Sequence, residues 1–348
     1  MSEPRIEVDL AAFRDNVRLL SELVAPARTM LAVKANAYGH GLVPLAKAAL
    51  ESGADSLAVL EVPAALELRR AGITAQLFAW LHGPDTDFVS AIEFDVDLGV
   101  SALWQLEKIL AAPKGKPARI HLKVDTGLHR NGASPAEWPA LVSAAVTAQR
   151  DGSVAVEALW SHLADASPED DAEALARFHE AVAVAAKLDC RPPLLHLAAS
   201  SAGIREPEAR LGLVRFGIAA YGISPFDDQS GARLGLRQVM AMRAPVSSLL
   251  DGVATVVLGS ADGIQVPAIG KAQVAIRGRR YPILALDVDT LTVDVAHSSI
   301  AVGDDVTIFG PGDAGEATAE EWAAWGETIG DEIVARASER LPRVYLNA

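Results

Sequence analysis

The sequence predicts an α/β fold, a (β/α)8 TIM barrel over residues 1–232 followed by a mostly antiparallel β domain over residues 233–348. Two textures of the chain carry that expectation. Through the first part, eight short apolar runs alternate with amphipathic stretches of helical spacing; beyond about Gly231, runs rich in Val, Ile and Thr follow one another through turns without long helices between them. A helix between two strands returns the chain to the starting edge, so the strands pair parallel, and eight such units close a barrel. Strands joined by turns pair antiparallel instead. At 348 residues the chain also exceeds what one core usually supports, so two domains are expected.

The barrel strands are expected, in order, at Thr29–Val33, Ser56–Leu60, Gln76–Trp80, Val96–Leu98, Arg119–Val124, Val154–Trp160, Leu194–Ala198 and Leu213–Phe216. Glu61–Ala71, Ser101–Ala111, Pro135–Arg150 and Pro168–Leu188 supply helices among them, with apolar positions at helical spacing. The acidic run from Pro168 to Glu173 reads as a helix start, since carboxylates in a first turn offset the dipole. In the second domain, strands are expected at Val253–Leu258, Ala272–Ile276, Ile283–Val288, Leu291–Val295 and Asp305–Phe309. Thr318 and Glu321 have capping-box spacing for a short helix, and a second helical pattern runs from Thr328 to about Arg340. The open doubly wound sheet is the competing architecture, but no GxGxxG phosphate loop supports it.

Composition excludes several classes of function. The formal charge is −14, from 45 acidic against 31 basic residues with no Lys/Arg-rich tract, so binding nucleic acid by phosphate neutralisation is not expected. No apolar stretch is long enough to span a bilayer and the N-terminal residues contain no signal core, so a soluble cytoplasmic protein without a membrane partner is expected. Cys190 is the only cysteine; it allows no intrachain disulfide and no thiolate metal site, and no metal is expected.

The most informative segment is Ala32-Val-Lys-Ala-Asn-Ala-Tyr-Gly-His-Gly41. Lys34 sits at the end of an apolar run and is followed at once by a glycine-rich turn over Asn36–Gly41 and then a helical pattern over Leu42–Leu50. Strand ends of this kind carry catalytic groups in barrels, and a lysine in a dry pocket loses its proton and attacks a carbonyl as a Schiff-base former. Any single lysine is otherwise read as a solvated surface charge. Four further segments fall just after expected strand ends: Lys123–Gly132, Trp160–His162, His196–Ala202 and Leu213–Gly222. A barrel gathers all of them on the face that holds Lys34.

The stretch AVKANAYGHG resembles the pyridoxal-phosphate lysine motif of the alanine racemase family, and KVDTGLHRNG resembles its second signature. The similarity runs from about Ile6 to Asn347. It implies an internal aldimine of pyridoxal 5'-phosphate on Lys34, with Tyr38 reaching the phosphate, Arg130 touching the cofactor's phenolic oxygen and the substrate carboxylate, and His162 against the pyridine ring. Ser200, Gly217 and Ile218 match phosphate ligands, and Val288 matches a position whose backbone holds substrate carboxylate. Arg215 matches the arginine facing the pyridine nitrogen; a guanidinium does not surrender its proton, so that nitrogen stays unprotonated and racemisation is favoured over transamination. Lys123 matches a position that is modified in some relatives. The implied protein is a racemase of alanine or a similar small amino acid, working as a head-to-tail homodimer.

Four functional positions depart from the pattern. Racemisation needs acid–base groups on both sides of Cα. In the family the second is a tyrosine of the partner subunit's β domain, but here Ser247–Val253 connects directly to the next strand, as if that segment were deleted. None of the four tyrosines matches it; Tyr281 or His297 of the β domain is the alternative stand-in, though each is more simply read as structural. Ala199 replaces an asparagine beside the phosphate, the residues flanking Val288 and Asp289 differ, and Asp331 stands where the family has a phosphate-binding tyrosine. Two unit charges about 4 Å apart repel by roughly 4 kcal/mol at an effective dielectric near 20, so Asp331 is expected to point away from the phosphate or the pocket to have shifted. Two alternatives to racemisation stay open on this reading: one-faced chemistry through Lys34 alone, such as retro-aldol cleavage, and a catalytically impaired cofactor-binding homologue.

Overall fold

The computed structural model describes residues 3–112 and 115–348. The chain forms two compact units that interleave in sequence. One comprises Arg18–Lys34 and Ala49–Gly217; the other comprises the chain up to Val17, Ala35–Ala48 and Ile218–Ala348. The sequence reading set a single boundary after residue 232, whereas the chain passes between the units four times.

The first unit is the barrel. Its strands lie in the order Leu194–His196, Val154–Trp160, Ala118–Lys123, Val96–Val100, Gln76–Ala79, Ser56–Val59, Arg28–Ala32 and Leu213–Phe216, every neighbouring pair parallel. Hydrogen bonds from Gly212 N to Leu195 O (3.2 Å) and Arg215 N to Ala198 O (3.1 Å) bring the two ends of the sheet together. All eight strands stand within a few residues of the predicted runs. These runs are legible because a barrel strand is covered on both faces: every residue of Ser56–Val59, Val96–Val100 and Leu213–Phe216 is buried. Helix Pro168–Lys187 starts where the acidic run predicted, with the Ser167 side chain accepting from Asp170 N and three carboxylates in the first turn.

The second unit holds an eight-stranded sheet in the order Val253–Val256, Leu291–Asp294, Arg279–Leu286, Gln273–Ile276, Asp305–Phe309, Met240–Leu250, Arg5–Asp9 and Arg343–Leu346. All pairings are antiparallel except the last. Three of these strands, Arg5–Asp9, Met240–Leu250 and Arg343–Leu346, were not expected from the sequence. Arg5–Asp9 alternates buried Ile6 and Val8 with outward Arg5 and Glu7, too short a pattern to stand out. Met240–Leu250 contains Pro245, which argues against a strand, yet register shifts on either side accommodate a residue with no N–H to donate.

Strands Met240–Leu250 and Val253–Val256 are joined by Asp251 and Gly252 alone, with Leu250 opposite Val253. Both turn residues have positive φ (48° and 78°), as a two-residue hairpin of this twist requires, and an Asp-Gly pair supplies it. Thr318 caps helix Ala319–Gly326 with the predicted reciprocal box to Glu321. The pattern expected to run on to Arg340 yields only helix Gly330–Ala335, because the next amides are drawn elsewhere: Ser338 N bonds to Asp262 O.

Candidate active site

Lys34 follows strand Arg28–Ala32, and Val33 N bonds to Ala58 O (2.8 Å) of the neighbouring strand, which fixes the lysine at the carboxyl end of the barrel. The residues after it bend sharply. Ala35, Asn36, Ala37 and Tyr38 all have φ between 50° and 54°, a left-handed turn made of non-glycine residues. Such backbone costs about 1–2 kcal/mol per residue, so it persists only where other interactions hold it. Asn36 provides one: its Oδ1 accepts from Leu42 N (2.7 Å) and its carbonyl from Gly41 N (2.9 Å). His40 provides another, its Nδ1 2.9 Å from the carbonyls of Ala37 and Tyr38, which makes Nδ1 the protonated nitrogen. Gly39 has φ 81°, and a Cβ there would lie 2.4 Å from the Val334 carbonyl oxygen, so glycine is required twice over.

Within the barrel unit several of the candidate side chains meet at the strand ends. The partly buried His162 has its pKa pushed well below the ordinary imidazole value, first by burial and then by the positive charges of Arg215, Arg130, Lys123 and Lys34. Four cationic side chains from three strands, Lys34 after Arg28–Ala32, Lys123 and Arg130 at and after the end of Ala118–Lys123, and Arg215 in Leu213–Phe216, therefore act on one neutral ring. Lys123 is buried; burial, then Arg215 and Arg130, bring its ammonium down to about 7 from 10.5. Its Nζ lies 4.6 Å from the Trp160 ring centroid. Arg130 is exposed, in the segment that follows the buried strand Ala118–Lys123. Ser200 begins the short helix Ser200–Arg205, and its Oγ accepts from Gly217 N at 3.1 Å, which brings two of the expected phosphate ligands into contact.

Arg215 is the most fully engaged of these groups. Its NH2 donates to the carbonyls of Ser161 (2.9 Å) and Leu197 (2.8 Å) and approaches His162 Nδ1 at 3.2 Å, while NH1 donates to His196 Nδ1 at 2.9 Å. Burial lowers its pKa to about 9, so it remains a cation at neutral pH. Beyond His196 the contacts continue inward. His196 Nε2 lies 3.0 Å from His121 Nδ1, and His121 Nε2 lies 3.1 Å from Asp97 Oδ2. Asp97 also receives Gln76 Nε2 (2.6 Å) and Arg119 Nε (2.6 Å). Asp97, His121 and His196 were not singled out by sequence, although a carboxylate and a histidine inside otherwise apolar strands were a readable signal.

The remaining predicted residues, Tyr38, Ile218 and Val288, lie in the other unit. Tyr38 is buried with its ring centroid 4.8 Å from that of Tyr221. Burial and then the negative charge of Asp331 push the Tyr38 phenol up, so Asp331 acts on this tyrosine. Ile218 opens the buried 3-10 turn Ile218–Tyr221. Val288 is exposed in the turn between strands Arg279–Leu286 and Leu291–Asp294, where its carbonyl accepts from Ala261 N (3.0 Å). Tyr281 is half-buried beneath Arg279, the guanidinium 5.6 Å from its ring centroid, and His297 is exposed.

Models of the alanine racemase N-terminal and C-terminal domains match residues 8–225 and 246–345. The chain belongs to the alanine racemase family. An alanine racemase of Frankia casuarinae is 41% identical over 365 aligned residues, covering 97% of this chain and 95% of its own. One from Thermobifida fusca is 40% identical, covering 98% of this chain and 97% of its own. Among solved structures, alanine racemase from Streptomyces lavendulae superposes with a TM-score of 0.97 at 39% identity, covering all of this chain and 98% of its own. That of Streptomyces coelicolor A3(2) gives 0.95 at 38% identity, with 99% and 98% covered. The family's barrel-plus-β architecture and its racemase activity extend to this chain. The alignment with the Frankia relative spans more positions than this chain has residues, so the relative carries segments that are missing here.

Proposed function

We propose that this protein interconverts the L and D forms of alanine, or of a similarly small amino acid, with pyridoxal 5'-phosphate held on Lys34. The observation that carries the reading is the cluster of cations at the carboxyl end of the barrel: Arg215 lies 3.2 Å from His162 Nδ1, Arg215 and Lys123 lie 5.2 and 4.6 Å from the Trp160 ring centroid, and the charges of Lys34 and Arg130 add to theirs in keeping His162 neutral. So much positive charge in a protein of net charge −14 calls for an anionic occupant, and a cofactor with a phosphate and a phenolate, joined by an amino-acid carboxylate, suits that donor set. When bound, pyridoxal phosphate supplies an electron sink for the pair left behind as the Cα–H bond breaks.

In this proposal the chain's own residues divide the work. Lys34 offers the amine that captures an aldehyde, and we assign to the same nitrogen the uptake and return of a Cα proton on one face. Ser200 and the amide of Gly217 supply phosphate donors, joined in this proposal by Tyr38 and Ile218. Arg130 pairs with the substrate carboxylate and phenolic oxygen, Val288 offers backbone to that carboxylate, and His162 packs as a neutral ring. Arg215 stays protonated near neutrality and donates, so it withholds rather than delivers a proton at the ring nitrogen.

We propose that the segment carrying the family's second tyrosine is deleted at the Asp251–Gly252 turn, where Leu250 pairs directly with Val253. One-faced chemistry is the reading this would favour taken alone, but similarity to alanine racemases over the whole chain favours racemisation. The head-to-tail homodimer and a cytoplasmic location belong to the same proposal. Leu249, Leu250, Val257 and Leu284 expose apolar surface in the β unit for a partner, and no described helix is long and apolar enough to cross a membrane.

Incubation with L- or D-alanine in deuterated water tests the proposal. Exchange at Cα with loss of optical activity is expected from either enantiomer. Exchange with retention of configuration supports one-faced chemistry instead, and a colourless protein without exchange removes the cofactor reading. Lys34→Ala is expected to lose both the yellow colour and the exchange.

A further inference from the structure

Asp97, His121 and His196 are buried inside the barrel, and their hydrogen bonds form a continuous line to Arg215. The direction of that line is fixed by its two ends. A guanidinium only donates, so His196 Nδ1 must accept from Arg215; a neutral His196 then carries its hydrogen on Nε2 and donates to His121 Nδ1. His121 in turn carries hydrogen on Nε2 and donates to Asp97, a carboxylate that only accepts. Each histidine is thus restricted to one tautomer by a cation at one end and an anion at the other.

The surrounding rings hold this line in place. Phe78 stacks on His121 with centroids 4.4 Å apart and planes 17° apart; Trp160 stacks on His196 at 5.4 Å and 10°. Phe78 meets Trp160 edge-on at 5.2 Å, which ties the two stacks together. Asp97 is anchored at its far end by Arg119, whose side chain is 40% exposed, so the line runs from the solvent side of the barrel floor to the strand ends. Although burial works against it, the hydrogen bonds from His121, Arg119 and Gln76 bring the Asp97 carboxyl down to about 2. With Arg215 near 9, passing a proton from the guanidinium to Asp97 is strongly uphill, and the line orients groups rather than conducting protons.

We propose that Asp97 is a positioning residue of the racemase site, fixing through His121 and His196 the orientation in which Arg215 is presented to the cofactor's ring nitrogen. The proposal rests on the reading of Arg215 given under Proposed function. It assigns a task to a carboxylate that lies outside both signature motifs, on the strand Val96–Val100.

The first test uses the unmodified protein stripped of cofactor, with histidine side-chain nitrogens resolved by 15N NMR. His121 and His196 are expected to carry hydrogen on Nε2 and none on Nδ1; hydrogen on Nδ1 of either one overturns the relay. This measurement needs no variant. Asp97→Asn, loaded with pyridoxal phosphate, is expected to lower kcat by roughly tenfold or more, the scale on which groups that orient a ligating residue act, with KM for alanine little changed. The absorption band of the bound cofactor is expected to shift, and Asp97→Glu to recover part of both effects. An unchanged band with unchanged kcat overturns the proposal. A parent protein that gains no chromophore with pyridoxal phosphate overturns the cofactor reading and this proposal with it, and the tautomers, measured without cofactor, distinguish that failure from failure of the relay.

Discussion

Strand Val96–Val100 in the barrel unit is buried at every position, whereas strand Arg279–Leu286 in the β unit is buried at one of its eight. Both contain charged residues, and the same residue types mean different things in the two places. Arg280 reaches Glu321 and nearby carbonyls at the surface, where water already satisfies most of the charge. Asp97 has no water to fall back on, so the structure has to supply a partner for each of its lone pairs. A charge in a strand buried on both faces is therefore informative about function, and a charge in a half-exposed strand is mostly about solubility.

That contrast is sharpest in stability. Asp97→Ala is expected to cost about 3–5 kcal/mol in urea unfolding, because it leaves the buried histidine pair without its acceptor; a loss below 1 kcal/mol would erase the difference between the two strands. Lys123→Met is the next largest effect, and its sign depends on pH. The Lys123 amine titrates near 7 in the folded protein and near 10.5 when unfolded, so the unfolded chain binds the extra proton between those values and stability contributed by this group falls as pH drops through that window. Lys123→Met is accordingly expected to raise Tm more at pH 6 than at pH 9, and equal gains at both would contradict a desolvated lysine.

Smaller again is the acid limb. His40 and His82 titrate near 4 because burial disfavours their charged forms, against an ordinary value of 6.5 in the unfolded chain. Unfolding takes up their protons first, so the urea midpoint is expected to decline steadily from pH 6.5 towards 4. In the β unit, Thr318→Ala removes one cap from helix Ala319–Gly326 and is expected to cost about 1 kcal/mol, measurable as a modest drop in Tm. Against the site itself, tighter pyridoxal phosphate in Asp331→Tyr would support direct repulsion by Asp331; unchanged affinity would separate Asp331 from the phosphate.

The barrel was legible because its strands are continuous apolar runs with helices between them, a pattern that double-sided burial enforces. The β unit was less so. Arg5–Asp9 lies far in sequence from the strands it pairs with, and Pro245 disguised the longest strand of the sheet, where displaced register absorbs a residue that sequence rules exclude. At the candidate site, Lys34 stood out through its motif, whereas His162 and Arg215 were reached through the family resemblance of the segments at strand ends rather than through position alone. Asp97 and His121 did not, since their meaning lies in which side chain across the barrel they meet. The left-handed turn was half visible: glycines were expected to carry it, yet four non-glycine residues share the strain.

The position of that turn has an architectural outcome. The bond after Lys34 is one of the places where the chain leaves the barrel unit, and it returns only at Ala49. No single cut can release an intact barrel, and no simple fusion can exchange the β unit for another. Recombination within this lineage is thus confined to point changes and loop edits, while the lysine and the tyrosine four residues later must be inherited together.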